Sequence, residues 1–498
     1  MESLPQISIT PINDVMSLVS SFLSRKKKYS LCLLSKQFRE QIVPLSMVSL
    51  SFRGGEAVLE SELLRQCVKR CRKVEKLQFE SIEQMDLEYV SKMQEILSSE
   101  EGAHFLRRVR HLTYKNLKFG GPDLTEVQKS FAIGKFCQCI ALFSELESIE
   151  FENVSCIFQI VKFLNKISQD DPQRIKFAKT LTLLNISACH IPEEDQDEAF
   201  VQIKDLSMNL PQLERLQLKG LRIGEKIGDL VSLCKNSQLK ELSLELNGIE
   251  PDFCLYFRMI LNMETLQHLN LSQNWIGMLG LEHLRDCLAQ AKNLKILNLS
   301  SNKLCLMPDR RTETLVELLK NVRLTMEELD LSQNSIEDED FGVIIDTLAQ
   351  MPKLKYLRLD LNRISALSFG KFIDVYIDSM LLNKGSLETL LIKQNQLFDE
   401  GLQEFFSKAQ QLPNLSHVKL SGNRNTLGLL PYFVKFIENF DCSNSRSMVV
   451  DFTTKGFLRP KEREEFITSV KEAIVKREIQ LQITPAATHR GLFKVDLI

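Results

Sequence analysis

The residues that could do chemistry in this chain do not assemble into a catalytic pattern. There is no G-x-x-x-x-G-K-[ST] phosphate loop, no G-x-G-x-x-G after a strand, no H-E-x-x-H and no G-x-S-x-G. His283, Arg285 and Asp286 echo a kinase catalytic loop, but they fall on the polar face of an amphipathic segment with no other kinase element near. Twelve cysteines are scattered along the chain. Cys137 with Cys139, and Cys67 with Cys71, lack the C-x-x-C pairing and the nearby histidine pair that zinc sites use, so core packing is the reading they support. These patterns predict a chain that is not an enzyme and holds no cofactor or metal.

What remains is binding chemistry at a fixed spacing. Polar side chains recur in two columns, two residues apart, once per segment. One column includes Glu241, His268, Glu328, Tyr356 and His417; the other includes Asn270, Asn298, Asp330, Arg358 and Lys419. The centre is rich in amides, Glu328 and Asp330 make an acidic spot, and Tyr356, Arg358 and Lys419 lie toward the C-terminal end. Tyrosine and arginine are common anchors of protein interfaces. These ten residues are the candidate partner-binding set.

The elements that must position them follow from the apolar residues in between. From Leu266 to Leu304 the chain reads LQHLNLSQNWI, a helical segment, then LKILNLSSNKL. The pattern L-x-x-L-x-L-x-x-N-x-L recurs with its first residue at Val74, Val109, Leu146, Leu181, Leu213, Leu239, Leu266, Leu294, Met326, Leu354, Leu387 and Leu415, giving twelve units. Period-two alternation predicts a short strand, with the x residues turned away from the core. The intervening segments carry apolar residues at spacings of three and four, as in Leu281, Leu284 and Leu288, which predicts amphipathic helices. The last seven units have Asn at the turn, from Asn247 to Asn423; the first five have Ile82, Leu117, Val154, Cys189 and Leu221 there. The N-terminal half is therefore expected to be the less regular. At about 4.8 Å per strand, twelve strands rule a surface on the order of 50 Å long. Such a breadth suits a protein or peptide better than a small molecule.

Residues 71–430 resemble leucine-rich repeats of the ribonuclease-inhibitor-like class. The resemblance implies an α/β leucine-rich repeat solenoid, a horseshoe with parallel strands on the concave face and helices on the convex face. Ahead of it, residues 15–52 read as a small helical N-terminal module. That segment resembles an F-box through Pro11, Asp14, Val15, Val19, Ser21, Phe22, Leu23, Leu31, Leu34, Ser35, Lys36, Phe38 and Arg39. It departs from the motif by one extra residue between Pro11 and Asp14, and by Phe38 where Trp is usual. Read as a plain cap, the same helices would shield the first repeat. The expected organisation is 1–52 as the F-box-like module or cap, 53–430 as repeats, and 431–498 as a C-terminal cap and tail. In that last part, a strand is expected at 448–452, a charged helix at 460–477 and a strand at 479–484, with 485–498 trailing off.

The net charge of −2, with 26% charged residues, is ordinary and argues against a nucleic-acid partner. No run reaches the roughly 18 apolar residues that span a bilayer, so no membrane role is expected. No secretory signal opens the sequence, and scattered cysteines suit a reducing compartment, so a cytoplasmic location is expected, with nuclear or cytoskeletal association as alternatives. The F-box resemblance implies a substrate receptor of an SCF-type ubiquitin ligase. It would dock a Skp-type adaptor through Pro11, Val19, Phe22, Leu23, Leu31, Leu34 and Phe38 and hold a second, unidentified protein on the repeats. Two other functions fit the same repeats: a scaffold subunit of a cytoskeletal or axonemal assembly, and, by resemblance to the Ran activator, a GTPase-activating protein. That last family ends in a strongly acidic tail, whereas residues 460–498 here are mixed to basic.

Overall fold

The repeating leucines dictate the architecture, because a strand and helix this short can bury an apolar face only against the next copy of themselves. The computed structural model describes residues 49–53, 64–65, 67–69, 71, 73–120, 125–170, 175–235, 238–305, 312–383, 386–439, 448–454, 465, 468, 472 and 491–497. Two compact units divide between Leu221 and Lys240.

The first unit contains β1 (Ser49–Arg53), β2 (Lys76–Glu80), β3 (His111–Lys115), β4 (Ser148–Glu152), β5 (Leu183–Ser187) and β6 (Arg215–Lys219). All pair in parallel with their sequence neighbours, and like positions face like positions, as in Lys76 with His111 and Gln78 with Thr113. Helices Leu87–Leu97, Glu126–Ala141, Ile157–Asp170 and Gln196–Met208 cover the other side of the sheet. Between the two layers, Phe52, Phe79, Tyr114 and Phe151 stack ring on ring, with centroids 5.4, 5.4 and 5.7 Å apart. Each such pair adds about 0.5–1.5 kcal/mol beyond the burial of its area.

The second unit holds β7 (Glu241–Ser243), β8 (His268–Asn270), β9 (Ile296–Asn298), β10 (Glu328–Asp330), β11 (Tyr356–Arg358), β12 (Thr389–Leu391), β13 (His417–Lys419), β14 (Met448–Thr454) and β15 (Gly491–Leu497). Strands β7 to β14 are parallel in strict register, and β15 closes the sheet antiparallel to β14. The helix stripes expected from the sequence are buried: Leu281, Leu284, Leu288, Phe341, Ile344, Ile345, Leu348, Phe369, Phe372, Leu402, Phe405 and Phe406.

Four expectations change. Repeat geometry starts before residue 71, because Leu50 and Phe52 bury one face of β1 and Phe52 stacks on Phe79. The end of the chain does not trail off, since Gly491–Leu497 is a strand. Two repeats carry no long α-helix: Gly224–Leu230, Leu233–Lys235 and Pro251–Tyr256 are stretches of 3-10 helix, the last followed by one α-helical turn, Phe257–Ile260. These units are short, and Gly224 and Gly228 lower the helix propensity of the first of them. Finally, the N-terminal half is not irregular at its corners. The eighth residue of all twelve repeats, from Ser81 to Gly422, has φ between 51° and 81°. In the ten that are not glycine, its N–H donates to the carbonyl of the preceding position in the next repeat, as Ser81 to Lys115 at 2.8 Å and Gln333 to Asp360 at 2.9 Å. Ten of these residues are not glycine, so the stack enforces a left-handed conformation that costs an L-residue roughly 1–2 kcal/mol. The halves differ instead in strand length, five residues against three before β14, and in how the turn is filled.

Of the expected C-terminal cap, the strand at 448–452 is present as β14, residues 465, 468 and 472 within 460–477 are helical, and 479–484 lies outside the described residues. The adaptor-binding candidates Pro11, Val19, Phe22, Leu23, Leu31, Leu34 and Phe38 also lie outside them.

Candidate protein-binding face

Seven consecutive three-residue strands set the candidate site on the second unit. In each, the middle residue is a buried Leu or Val and its two neighbours turn to the opposite side. Parallel register then aligns the columns read from the sequence. Glu241, His268, Glu328, Tyr356 and His417 fall in one row, and Asn270, Asn298, Asp330, Arg358 and Lys419 in the other. All ten share the sheet face away from the helices.

They are not equally available. Asn270, Asn298 and Asp330 each accept, through Oδ1, the backbone N–H two residues ahead, from Ser272, Ser300 and Ser332 at 3.0, 3.0 and 2.9 Å. Such Asx bonds bend the chain out of the sheet after its third residue. The amide-rich centre is thus partly a strand-ending device, and its side chains keep only their remaining lone pairs and N–H groups for a partner. Asn270 uses one N–H on Glu245, which also accepts from Gln273 at 2.9 Å. His268 Nδ1 lies 3.7 Å from Glu241.

Toward the C-terminal end the row carries charge. The Arg358 guanidinium donates to the Tyr356 hydroxyl at 2.7 Å and to Asp330 at 3.4 Å, and packs over the Tyr356 ring. Its Nε is buried without a hydrogen-bond partner. Asp330 is therefore neutralised, and the acidic spot expected at Glu328 and Asp330 shrinks to the exposed Glu328. Asp360 lies 4.0 Å from Arg358 and 3.5 Å from Lys393 Nζ, and accepts the Lys393 N–H at 2.7 Å. Burial pushes its carboxyl above the usual carboxylate range, against the pull of Lys393 and Arg358. Partial burial opposes the charge on Arg358, but Asp330, Tyr356 and Asp360 outweigh it and hold the guanidinium protonated more firmly than usual. His417 and Lys419 end the candidate row, both exposed.

Asp360 and Lys393 belong to a third column that the two-column reading missed. The signal was present: alternation runs one step past the third leucine of each unit, so the residue after it also turns to this face. On the first unit the equivalent face has a shallow depression of about 170 Å³ lined by Ser49, Lys76, Gln78, His111, Thr113 and Glu150. Among the described residues no group of three or more His, Cys, Asp or Glu is placed to hold a metal, and no helix is long and apolar enough to cross a membrane.

The turn side of the repeats explains why the strands are held in register. Asn334 Nδ2 donates to the carbonyls of Leu299 and Leu331 at 2.9 and 3.2 Å, while its Oδ1 accepts from Asn302 and Leu304 at 2.9 and 3.4 Å. Asn274, Asn302, Asn362, Asn395 and Asn423 bridge their neighbours in the same way. In the first unit Cys189 does a smaller version of this, accepting from Val154 at 3.4 Å and donating to Phe151 at 3.7 Å.

Comparison with known proteins finds the following similarities. A family profile described as leucine-rich repeat matches residues 262–284 and 324–340. The chain is similar to protein NLRC5 of Ictalurus punctatus, 26% identical over 160 residues, which is 32% of this chain and 9% of that much longer protein. Among solved structures it is similar to the internalin inlF of Listeria monocytogenes, at 15% identity and a TM-score of 0.38 over 68% of this chain and 90% of that one. A chain of the yeast Rad7–Elc1 complex aligns at 15% identity and a TM-score of 0.43 over 84% of this chain and 85% of that one. The tropomodulin C-terminal domain of Caenorhabditis elegans aligns at 13% identity and a TM-score of 0.25, over 34% of this chain and 96% of that domain. In register, turn chemistry and matched repeats, the chain folds as a leucine-rich repeat solenoid.

Proposed function

We propose that this chain binds a protein partner on the sheet face of its second unit and carries out no reaction of its own. The observation that carries this reading is the in-register row from Glu241 to Lys419, with Tyr356 and Arg358 locked together inside it. A guanidinium already stacked on a ring and bonded to its hydroxyl gives up little conformational freedom when a partner arrives. Full-length chain with Tyr356→Ala and Arg358→Ala tests it. Loss of a protein that co-purifies stoichiometrically with the unsubstituted chain supports the reading, and unchanged recovery contradicts it.

We also propose that the N-terminal segment makes the chain a substrate receptor of an SCF-type ubiquitin ligase. The support is the F-box-like pattern of Pro11, Val19, Phe22, Leu23, Leu31, Leu34 and Phe38. The contribution of such a receptor is proximity, since it holds a target where a charged ubiquitin carrier can reach it. Mixing full-length chain with a purified Skp-type adaptor should give a complex on gel filtration that Phe22→Ala with Leu34→Ala removes. No complex with the unsubstituted chain would rule this role out while leaving the sheet-face reading intact.

A further inference from the structure

The loop edge of the second unit carries a device that the sheet face does not account for. At the left-handed eighth position, the unit's other five repeats have Gln, Ser or Gly, but two have leucine: Leu246 and Leu361, both at φ 57°. A branched apolar side chain is poorly suited to that conformation. Nor is it placed there for packing, because Leu246 is 49% exposed and Leu361 43%.

Each leucine is followed, one repeat on, by an exposed aromatic ring. In the repeat after Leu246 stands Trp275, the one tryptophan of the chain, 52% exposed. In the repeat after Leu361 stands Phe398, 39% exposed. In the next repeat again, the tenth position supplies a cation lying over the ring: Lys303 over Trp275 at 4.9 Å, and Arg424 over Phe398 at 6.0 Å. Among the described residues neither cation has a carboxylate partner. The Trp275 N–H donates to the Ile249 carbonyl in the leucine's repeat at 2.9 Å, and the Phe398 N–H donates to the Asn423 carbonyl in the cation's repeat at 3.0 Å. A leucine, then a ring, then a cation in three successive repeats therefore occurs twice, four repeats apart, with the ring at the tenth position in the first series and the twelfth in the second.

From this we infer that the loop edge is a two-point docking surface for an acidic amphipathic helix of a protein partner. Each exposed leucine and ring offers an apolar anchor point, and each uncompensated cation beside it selects a carboxylate. Four strand spacings place the two sets about 20 Å apart. A helix rises 1.5 Å per residue, so its two anchors would stand about 13 residues apart. The inference rests on the reading of the chain as a protein-binding repeat protein, but it uses residues other than those of the sheet face.

The test is selection of a displayed library of randomised, helix-forming 20-residue peptides on the full chain. Enriched peptides should be acidic and carry two apolar residues about 13 positions apart. A selected peptide should shift the emission of Trp275. Leu246→Asn with Leu361→Asn, and separately Lys303→Glu, should weaken its binding at least tenfold, while Arg358→Ala should leave it unchanged. Asparagine accepts the left-handed corner, as Asn116 and Asn153 already do, so the paired variant should unfold at no lower temperature. Absence of enrichment, enrichment of basic peptides, or tight binding that survives Leu246→Asn with Leu361→Asn would overturn the inference. Loss on Arg358→Ala alone would place the peptide on the sheet face and overturn it too.

Discussion

At the residue scale, one asparagine per repeat does the work of several backbone groups. Asn334 satisfies two carbonyls and two N–H groups that no water reaches. Leaving buried groups unpaired costs about 1–3 kcal/mol each, with partial relaxation, so Asn334→Ala should lower stability by roughly 3 kcal/mol in urea unfolding. Cys189→Ala, which removes weaker sulfur bonds, should cost about 1–2 kcal/mol. The thiols also set a pH dependence. Burial pushes Cys139, Cys254 and Cys287 up to about 12 and Cys189 up to about 11. The folded chain therefore keeps protons that the unfolded chain releases above about pH 8.5. Stability is complete below that pH and falls as pH rises toward the folded values, by on the order of 1 kcal/mol per thiol at pH 10. Urea midpoints at pH 7 and pH 10 measure this, and removing the buried cysteines should flatten the difference. The turn asparagines were legible in the sequence because they recur in one frame. The Asx bonds of Asn270, Asn298 and Asp330 were not, because they depend on where the strand stops, which only the stacked corner decides.

At the element scale, the spacing of leucines carried most of the fold, and local backbone geometry the rest. Strands, helix stripes and register follow from period two and from spacings of three and four. The strand at 49–53 was hidden because Leu50 and Phe52 are its only apolar alternation and a helical pattern precedes it. The strand at 491–497 was hidden because an antiparallel closure needs its partner, β14, to be known. Close approaches were equally invisible. Gly102 is the third residue of the short helix Glu100–Leu106, where an added Cβ would stand 2.4 and 2.5 Å from the carbonyl oxygens of Ile96 and Leu97. Backbone cannot step aside as a side chain can, so Gly102→Ala should destabilise the first unit despite alanine's gain of about 1 kcal/mol in helix propensity. Thermal unfolding followed by circular dichroism would show it. Tyr114 sits fully buried in the ring stack between Phe79 and Phe151. Tyr114→Ala should cost about 3–5 kcal/mol, against under 1.5 kcal/mol for the shape-conserving Tyr114→Phe.

At the scale of the whole molecule, the asymmetry between halves has a physical form. One unit has five-residue strands, a spine of stacked rings and turns filled by apolar residues or Cys189. The other, from Lys240 on, has three-residue strands and an asparagine ladder. The sequence located the change of turn residue near residue 239 but not its consequence, since the corner conformation is kept through both. The candidate row lies wholly on the ladder-bearing unit, where the turn asparagines bridge each repeat to the next. Functional legibility was narrower. Columns could be read from spacing, but the pairing of Tyr356, Arg358, Asp330 and Asp360 could not, because it joins side chains of two repeats and of three different columns. The most direct test of the central claim is quantitative affinity capture of the full chain from its native cells, beside the chain with Tyr356→Ala and Arg358→Ala. The account predicts a protein recovered near one-to-one with the unsubstituted chain and at least tenfold less with the substituted one, both chains unfolding at the same temperature. Equal recovery by the two chains would contradict it.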